Sequence, residues 1–463
     1  MLEDIKLKNL MDIRLNIGQI IFILIVLALF IPLESVRVAG DTEALIKGLD
    51  VAISCITWRH VTVPCGAGVV HFPIFQYLIA LPIKLTGFSD KNIIYIFGYI
   101  STISFFVACI AYMKIGYIAG GKKGAACGLL LLVSGYMLWY MASTFNEATT
   151  FTLFSLLALS IIDKWKYSYT AILALLCTLT KEISIPIVIY FIFLSVVVTQ
   201  YRLNLNKDFF RSFIKDYKYT FICVMLGGII NSLFNYFRFQ SFKNIVNLDP
   251  IFMTPSKYVS DLFYNLFFSP SGGLLFVWFS LISFIIVGLI FCNNNRKVLI
   301  GLAILPIIII NWGLSHWYSP FGAIAWGPRL TLPYLGAIGI ILLFIIVPSF
   351  TSIVNKFKRY IGFVLILVVS YISALPNIAA GLNSPIFLNA IYAPTKTILE
   401  INIQPFAVQL VPPDIYMKAV LEVWERSSII PGINQVVSNN NLYFFYWFIF
   451  FIILSNYIFK KPV

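Results

Sequence analysis

A sparse set of charged residues stands at the ends of long apolar runs in this sequence: Asp41, Glu43, His71, Glu147, Lys181, Glu182, Arg238 and Arg329. Carboxylates can take a proton from a hydroxyl, and an arginine or lysine can hold a phosphate. Asp41 follows the first apolar run in Gly40-Asp41-Thr42-Glu43, a position for a general base. It is equally a good N-cap for a helix running through Ala44 to Asp50, with Glu43 in the first turn, and the two roles coexist. His71 opens His71-Phe72-Pro73-Ile74-Phe75-Gln76-Tyr77, which suits an interfacial anchor or the binding of a donor or acceptor. Glu147, after Asn146, sits at a turn between apolar runs, as a catalytic carboxylate or as a residue facing water. Lys181-Glu182 forms another such turn, with Lys181 as phosphate ligand or ion-pair partner. Arg238, in Asn235-Tyr236-Phe237-Arg238-Phe239, is a further phosphate candidate. Arg329 ends Trp326-Gly327-Pro328-Arg329, where its planar fork suits a phosphate leaving group and its long stem suits snorkelling from a helix end.

The segments that must position these residues are membrane spans. The chain of 463 residues is 60% hydrophobic and 11% charged, against roughly 25% charged in soluble chains. Apolar runs near span length centre on 17–33, 93–113, 124–142, 147–162, 168–181, 184–200, 219–237, 273–292, 298–315, 330–348, 361–376 and 442–459. The expected fold is therefore an all-α polytopic membrane protein of about twelve transmembrane helices. Lys6, Lys8 and Arg14 before the first run resemble a signal peptide, but no small-residue cleavage site follows, so 17–33 is read as a retained helix.

The stretch 71–87 is decided by charge. If it does not cross, 20 of the 33 lysines and arginines fall in short loops on the N-terminal side, as the positive-inside rule requires. If it crosses, every later loop flips and the bias reverses. Hence 71–87 lies on the outer interface. The expected division is a transmembrane catalytic core over 1–376, whose first extracytoplasmic loop is 34–92, an extracytoplasmic segment 377–441, and a last helix with its tail over 442–463. Within 414–428 an amphipathic helix is expected, with Met417, Leu421 and Trp424 on one face and Lys418, Glu422, Glu425 and Arg426 on the other. The protein is expected in a plasma or inner membrane, with its site on the extracytoplasmic side.

The formal charge of +14 lies in short runs between spans, which speaks against a nucleic-acid partner and for membrane lipids. No P-loop and no Rossmann glycine pattern is present, so no nucleotide cofactor is expected. Cysteine spacing offers no structural zinc site. Cys109, Cys127, Cys177, Cys223 and Cys292 lie in or at the ends of spans. Cys55 and Cys65 alone lie in the first loop, where an oxidising compartment would let them pair.

The order Gly40-Asp41, then His71 through Pro82, Asn146-Glu147, Leu179-Thr180-Lys181, Phe268-Ser269-Pro270-Ser271-Gly272-Gly273-Leu274 and Trp326-Gly327-Pro328-Arg329 resembles the GT-C glycosyltransferases. It is similar in particular to the branch of protein mannosyltransferases and aminoarabinose transferases, over roughly residues 15–350. The resemblance implies a polyprenyl-phosphate sugar donor, a lipid, glycan or protein acceptor, inversion at the anomeric carbon, and Asp41 as base. It implies that the stretch after His71 is a juxtamembrane helix. A divalent metal, magnesium or manganese, stays open, with Asp41, Glu43 and Glu147 as its candidate ligands. A lipid-linked-oligosaccharide flippase or transporter and a polysaccharide polymerase or ligase are the alternatives; against the first, no two similar halves are visible.

Overall fold

The computed structural model describes residues 28–30, 40–56, 60–65, 73–141, 145–181, 184–200, 207–243, 253–317, 328–351, 356–383, 386–387, 418, 421–422, 425 and 428–459. Among them the chain is helical, with α1 (Gly40–Cys55), α2 (Ile74–Leu85), α3 (Asp90–Val133), α4 (Met137–Tyr140), α5 (Phe145–Ile162), α6 (Tyr167–Thr180), α7 (Ser184–Gln200) and α8 (Lys207–Phe239). The second half adds α9 (Ser256–Phe268), α10 (Leu274–Val277), α11 (Phe279–Phe291), α12 (Asn294–Ser315), α13 (Leu332–Thr351), α14 (Lys356–Leu382), α15 (Ile429–Asn439) and α16 (Asn441–Phe459). Among the described residues no strand forms; isolated bridges join Ile56 to Val61 and Met253 to Trp317.

Within α3, α8, α12, α13, α14 and α16, a total of 6 helices are long and apolar enough to cross a membrane; α5, α6, α7 and α11 are shorter apolar helices. The protein is a polytopic membrane protein. Its outer surface shows the solvent for which it is built: on α8, Ile222, Met225, Leu226, Ile229 and Leu233 are exposed at helical spacing. In water such a stripe would aggregate; in lipid it needs no partner. At the centre lies α13, whose residues from Leu332 to Val347 are almost all buried. Small residues let it approach its neighbours closely. A Cβ on Gly336 would stand 2.2 Å from the Phe151 carbonyl oxygen, and one on Gly339 would stand 2.1 Å from the Tyr112 hydroxyl. The Tyr112 hydroxyl in turn donates to the Gly336 carbonyl at 3.3 Å.

The expected spans 93–113 and 124–142 are the two arms of α3. They fold back on each other at Gly120 and Gly121, the latter at φ 61°. The arms touch through glycine: a Cβ on Gly116 would meet the Gly124 oxygen at 2.1 Å, and one on Gly128 would meet the Tyr112 oxygen at 2.1 Å. Other boundaries differ from the apolar pattern. The run 124–142 is interrupted after Val133, and 273–292 is split at Trp278. The run ending at 376 continues as α14 to Leu382, through Pro376. At the two breaks buried polar side chains supply hydrogen bonds to the freed carbonyls that hydropathy does not register. Of the expected first span, residues 28–30 are described; Leu29 and Phe30 are buried, and Phe30 stands 5.4 Å from the Trp447 ring. Of the expected helix 414–428, Lys418, Leu421, Glu422 and Glu425 are helical, with Leu421 buried and Lys418 and Glu425 exposed; Met417, Trp424 and Arg426 lie outside the described residues.

Contacts between helix ends sort them into two faces. On one, Lys114 approaches Asp163 at 3.8 Å and Arg296 donates to Ser349 at 3.1 Å. On the other, which carries α1 and α2 and is called outer below, Thr254 N–H donates to the His316 carbonyl at 2.9 Å and Ile429 N–H to the Pro270 carbonyl at 3.1 Å. A separate apolar cluster belongs to this outer face, with Leu45, Ile46 and Leu49 of α1, Tyr77 and Ala80 of α2, and Ile93 and Phe97 of α3. The 12 residues of α2 reach only about 18 Å, too short for a hydrocarbon layer of about 30 Å.

Candidate active site

The outer helix ends hold the charged residues singled out by the sequence. Glu147 lies in the first turn of α5, where the helix dipole favours a carboxylate. Arg329 lies just before α13. The chain brings them together: Arg329 Nε is 3.5 Å from Glu147 Oε1, with the two side chains 18% and 4% exposed. A pair this sheltered is screened little by salt, and removing either member leaves the other charge in a dry place. Two neighbouring contacts fix the Arg329 segment. The Tyr136 hydroxyl donates to the Pro328 carbonyl at 3.2 Å, and the Thr331 hydroxyl donates to Asn311 Oδ1. Hydropathy gives no sign of Tyr136. Asn311, fully buried inside a span, carries the signal that a polar residue in an apolar helix usually does.

Lys181 ends α6, and its carbonyl accepts from Ser184 N–H at 3.0 Å at the start of α7. One turn below, Asn231 of α8 donates to the Thr178 carbonyl at 2.9 Å. From that shared rung, Lys181 stands about 4.5 Å higher along α6 and Arg238 about 10 Å higher along α8, so both cations belong to the outer end. Arg238 is buried, hydrogen-bonded to Asn235, with its guanidinium 4.5 Å from the Phe234 ring centroid and 4.8 Å from that of Phe239. Tyr77 of α2 stands 5.4 Å from the same Phe234 ring. Burial pushes the Tyr77 phenol pKa up, and the nearby Arg238 charge draws it partly back.

The first-loop elements brace this end. Cys55 and Cys65 are joined by a disulfide, with Cα atoms 5.6 Å apart. Cys65 N–H donates to the Phe237 carbonyl at 3.0 Å, so the bridge ties the C-terminal end of α1 to the outer end of α8. Lys84 of α2 lies 3.1 Å from Asp50 of α1 and 2.6 Å from Asp90 of α3. Its pKa is raised, by the hydrogen bond to Asp90 above all and by Asp50 as well. Asp41 and Glu43 lie in the first turn of α1, but their side chains are outside the described residues, as are His71, Glu182 and the loop 318–327. Glu147 of the candidate metal set faces the Arg329 guanidinium, and among the described residues no three His, Cys, Asp or Glu side chains gather as metal ligands. The other two candidate ligands, Asp41 and Glu43, lie outside the described side chains, and no step below uses a metal.

Fold and site together define a polytopic membrane protein with a polar, cation-rich site at one face. No family model matches the sequence, and no curated protein matches it. Among solved structures, the chain is similar to the crystal structure of ArnT from Cupriavidus metallidurans in the apo state, with a TM-score of 0.49 and 13% identity over 91% of this chain and 77% of that one.

Proposed function

We propose that this chain is an integral membrane glycosyltransferase that moves a sugar from a polyprenyl-phosphate donor to a lipid, glycan or protein acceptor on the extracytoplasmic face. The observation that carries this reading is the pair of buried Glu147 and half-buried Arg329 at the outer helix ends, on the same face as Lys181, Arg238 and the α1 turn that bears Asp41 and Glu43. The charge bias of the sequence puts that face outside. In this reading Asp41 takes the proton of the acceptor hydroxyl as its oxygen attacks the anomeric carbon. The bond from that carbon to the phosphate oxygen breaks, and the electron pair leaves with polyprenyl phosphate. Arg329, Lys181 and Arg238, with His71, offset the charge that grows on the leaving group. Attack opposite the leaving group inverts the anomeric centre. Glu147 holds the Arg329 fork in place, as a second charge in a preorganised site.

The test is transfer of radiolabel from polyprenyl-phosphate sugars, incubated with purified protein and membrane lipids. Label appearing on an acceptor with release of polyprenyl phosphate supports the reading. Movement of labelled lipid between leaflets with the sugar still attached would replace it with the transporter alternative.

A further inference from the structure

Two helix interruptions meet in the outer half of the bundle. The second arm of α3 stops at Val133, and the chain resumes as the single turn α4. Beside it, α10 and α11 part at Trp278, whose backbone (φ −141°, ψ 53°) is not helical. Counting about 1.5 Å per residue from the Gly120–Gly121 turn, the first break lies roughly 20 Å into a hydrocarbon layer of about 30 Å. Broken backbone at that depth persists only where protein covers it or where it lines a cavity.

Side chains of Trp278 and of α14 serve the broken ends. Trp278 Nε1 donates to the Leu131 carbonyl at 3.0 Å, and Ser373 Oγ donates to the Ser134 carbonyl at 2.8 Å. Asn377 Nδ2 reaches the Val277 carbonyl at 2.9 Å and the Ser134 carbonyl at 3.3 Å. The Ser134 and Ser280 hydroxyls lie 2.7 Å apart. Gly135 leaves room for the Trp278 indole, which a Cβ would approach to 2.6 Å. At its outer side the turn is fastened by the Tyr136 hydroxyl to Pro328, one residue before Arg329. Trp139 of the turn is 8% exposed, and among the described residues its indole Nε1 meets no hydrogen-bond acceptor. Its ring stands edge-on to Tyr140 at 4.5 Å.

We propose that the turn Ser134–Tyr140 is the sugar-recognition element of the site, and that Trp139 packs against the pyranose ring of the lipid-linked donor and gives its N–H to a sugar hydroxyl. This rests on the glycosyltransferase reading. An indole suits such a ligand, because a pyranose offers an apolar C–H face beside hydroxyl acceptors, and tryptophan offers an apolar face beside one donor. A buried N–H without an acceptor is costly, and a bound hydroxyl would relieve that cost. The placement agrees. Arg329 follows the residue to which the turn is fastened, and Glu147 lies in the first turn of the next long helix. A donor with its phosphate at Arg329 carries its sugar one bond away from that phosphate, and the turn is fastened to the residue before Arg329. Trp139 then decides which sugar is held rather than how the bond breaks.

The experiment measures binding to the full-length protein in detergent of polyprenyl-phosphate mannose, glucose and arabinose, beside sugar-free polyprenyl phosphate. The variants are Trp139→Phe, which keeps an aromatic ring and loses the N–H, and Trp139→Ala. For the best-bound sugar donor, Trp139→Phe should weaken binding about tenfold and Trp139→Ala more, while both bind sugar-free polyprenyl phosphate as the wild type does. Unchanged binding of the sugar donor by Trp139→Phe would overturn the proposal and leave the glycosyltransferase reading standing. Equal weakening toward sugar donor and sugar-free lipid would also overturn it, since the residue would then shape the fold or the phosphate site. A wild type that binds none of these lipids would remove the glycosyltransferase reading, and this proposal with it.

Discussion

At the scale of single residues, the proposed chemistry rests on one base and one cation. Asp41 lies in the first turn of α1, which starts at Gly40, so it is not the expected N-cap; there a carboxylate favours the helix dipole. The two roles separate in Asp41→Asn, because losing the dipole interaction costs only about 0.3–1 kcal/mol of stability, whereas asparagine cannot accept the hydroxyl proton. The variant should insert, fold and bind donor while turnover falls by about 10²–10⁴-fold. Donor binding and turnover measured on one preparation decide it; near-normal turnover would leave only the helix-dipole role. Arg329 calls for a different design, since Arg329→Ala alone strands a buried Glu147. Arg329→Lys keeps a cation beside Glu147 but loses the planar fork, so donor affinity should fall by about 1.5–3 kcal/mol. The double variant Glu147→Gln/Arg329→Ala should recover expression without recovering donor binding. A double variant that binds donor normally would reduce the pair to a structural tie.

At the scale of elements, the spacing of apolar residues was a good guide to helices and a poor one to their interruptions. The α3 hairpin shows both. Two apolar runs flank Gly120-Gly121 and Lys122-Lys123, so the turn could be read directly, and Gly121 takes the positive φ expected there. The breaks at Ser134 and Trp278 could not be read, because they depend on Ser373 and Asn377, more than ninety residues away in sequence. Disulfide geometry was likewise invisible, although the first-loop placement of Cys55 and Cys65 pointed to the pair that the structure joins. The candidate site was legible as charges and not as contacts. Hydropathy marked Glu147 and Arg329 separately, and only the fold makes them neighbours. The hairpin yields a prediction of relative cost. Gly121→Ala places a Cβ in open space but on a backbone nearly closed to side chains, costing about 1–3 kcal/mol. Gly116→Ala drives a Cβ into the Gly124 carbonyl, so the arms must part along their length. Gly116→Ala should therefore lower the thermal midpoint in detergent more than Gly121→Ala. The reverse order would mean that the arms separate easily and the turn governs the hairpin.

At the scale of the whole molecule, the central issue is how many times the chain crosses, because one extra crossing at α2 would move every later loop to the other side. Three observations argue that α2 stays at the outer face. Its 12 residues are too short to span. Lys84 at its C-terminal end is paired with Asp50 of α1 and Asp90 of α3, which places that end beside the elements that precede and follow it. Tyr77, near its N-terminal end, packs on Phe234 at the outer end of α8. Both ends of α2 are thus tied to the same face. Cysteine labelling reads this arrangement in whole cells, in a background where the free cysteines Cys109, Cys127, Cys177, Cys223 and Cys292 are replaced. Single cysteines at Gly66, before α2, and at Phe88, exposed after it, should both react with a membrane-impermeant maleimide added from outside. A cysteine at Lys164, in the turn between α5 and α6 on the opposite face, should react only after the membrane is opened. Labelling at 66 without labelling at 88 would show that α2 crosses. Glu147, Lys181, Arg238 and Arg329 would then face the cytoplasm, where the positive-inside rule predicts the lysine-rich loops instead. The proposed site would be turned away from a donor displayed outside, and the glycosyltransferase reading would lose its orientation.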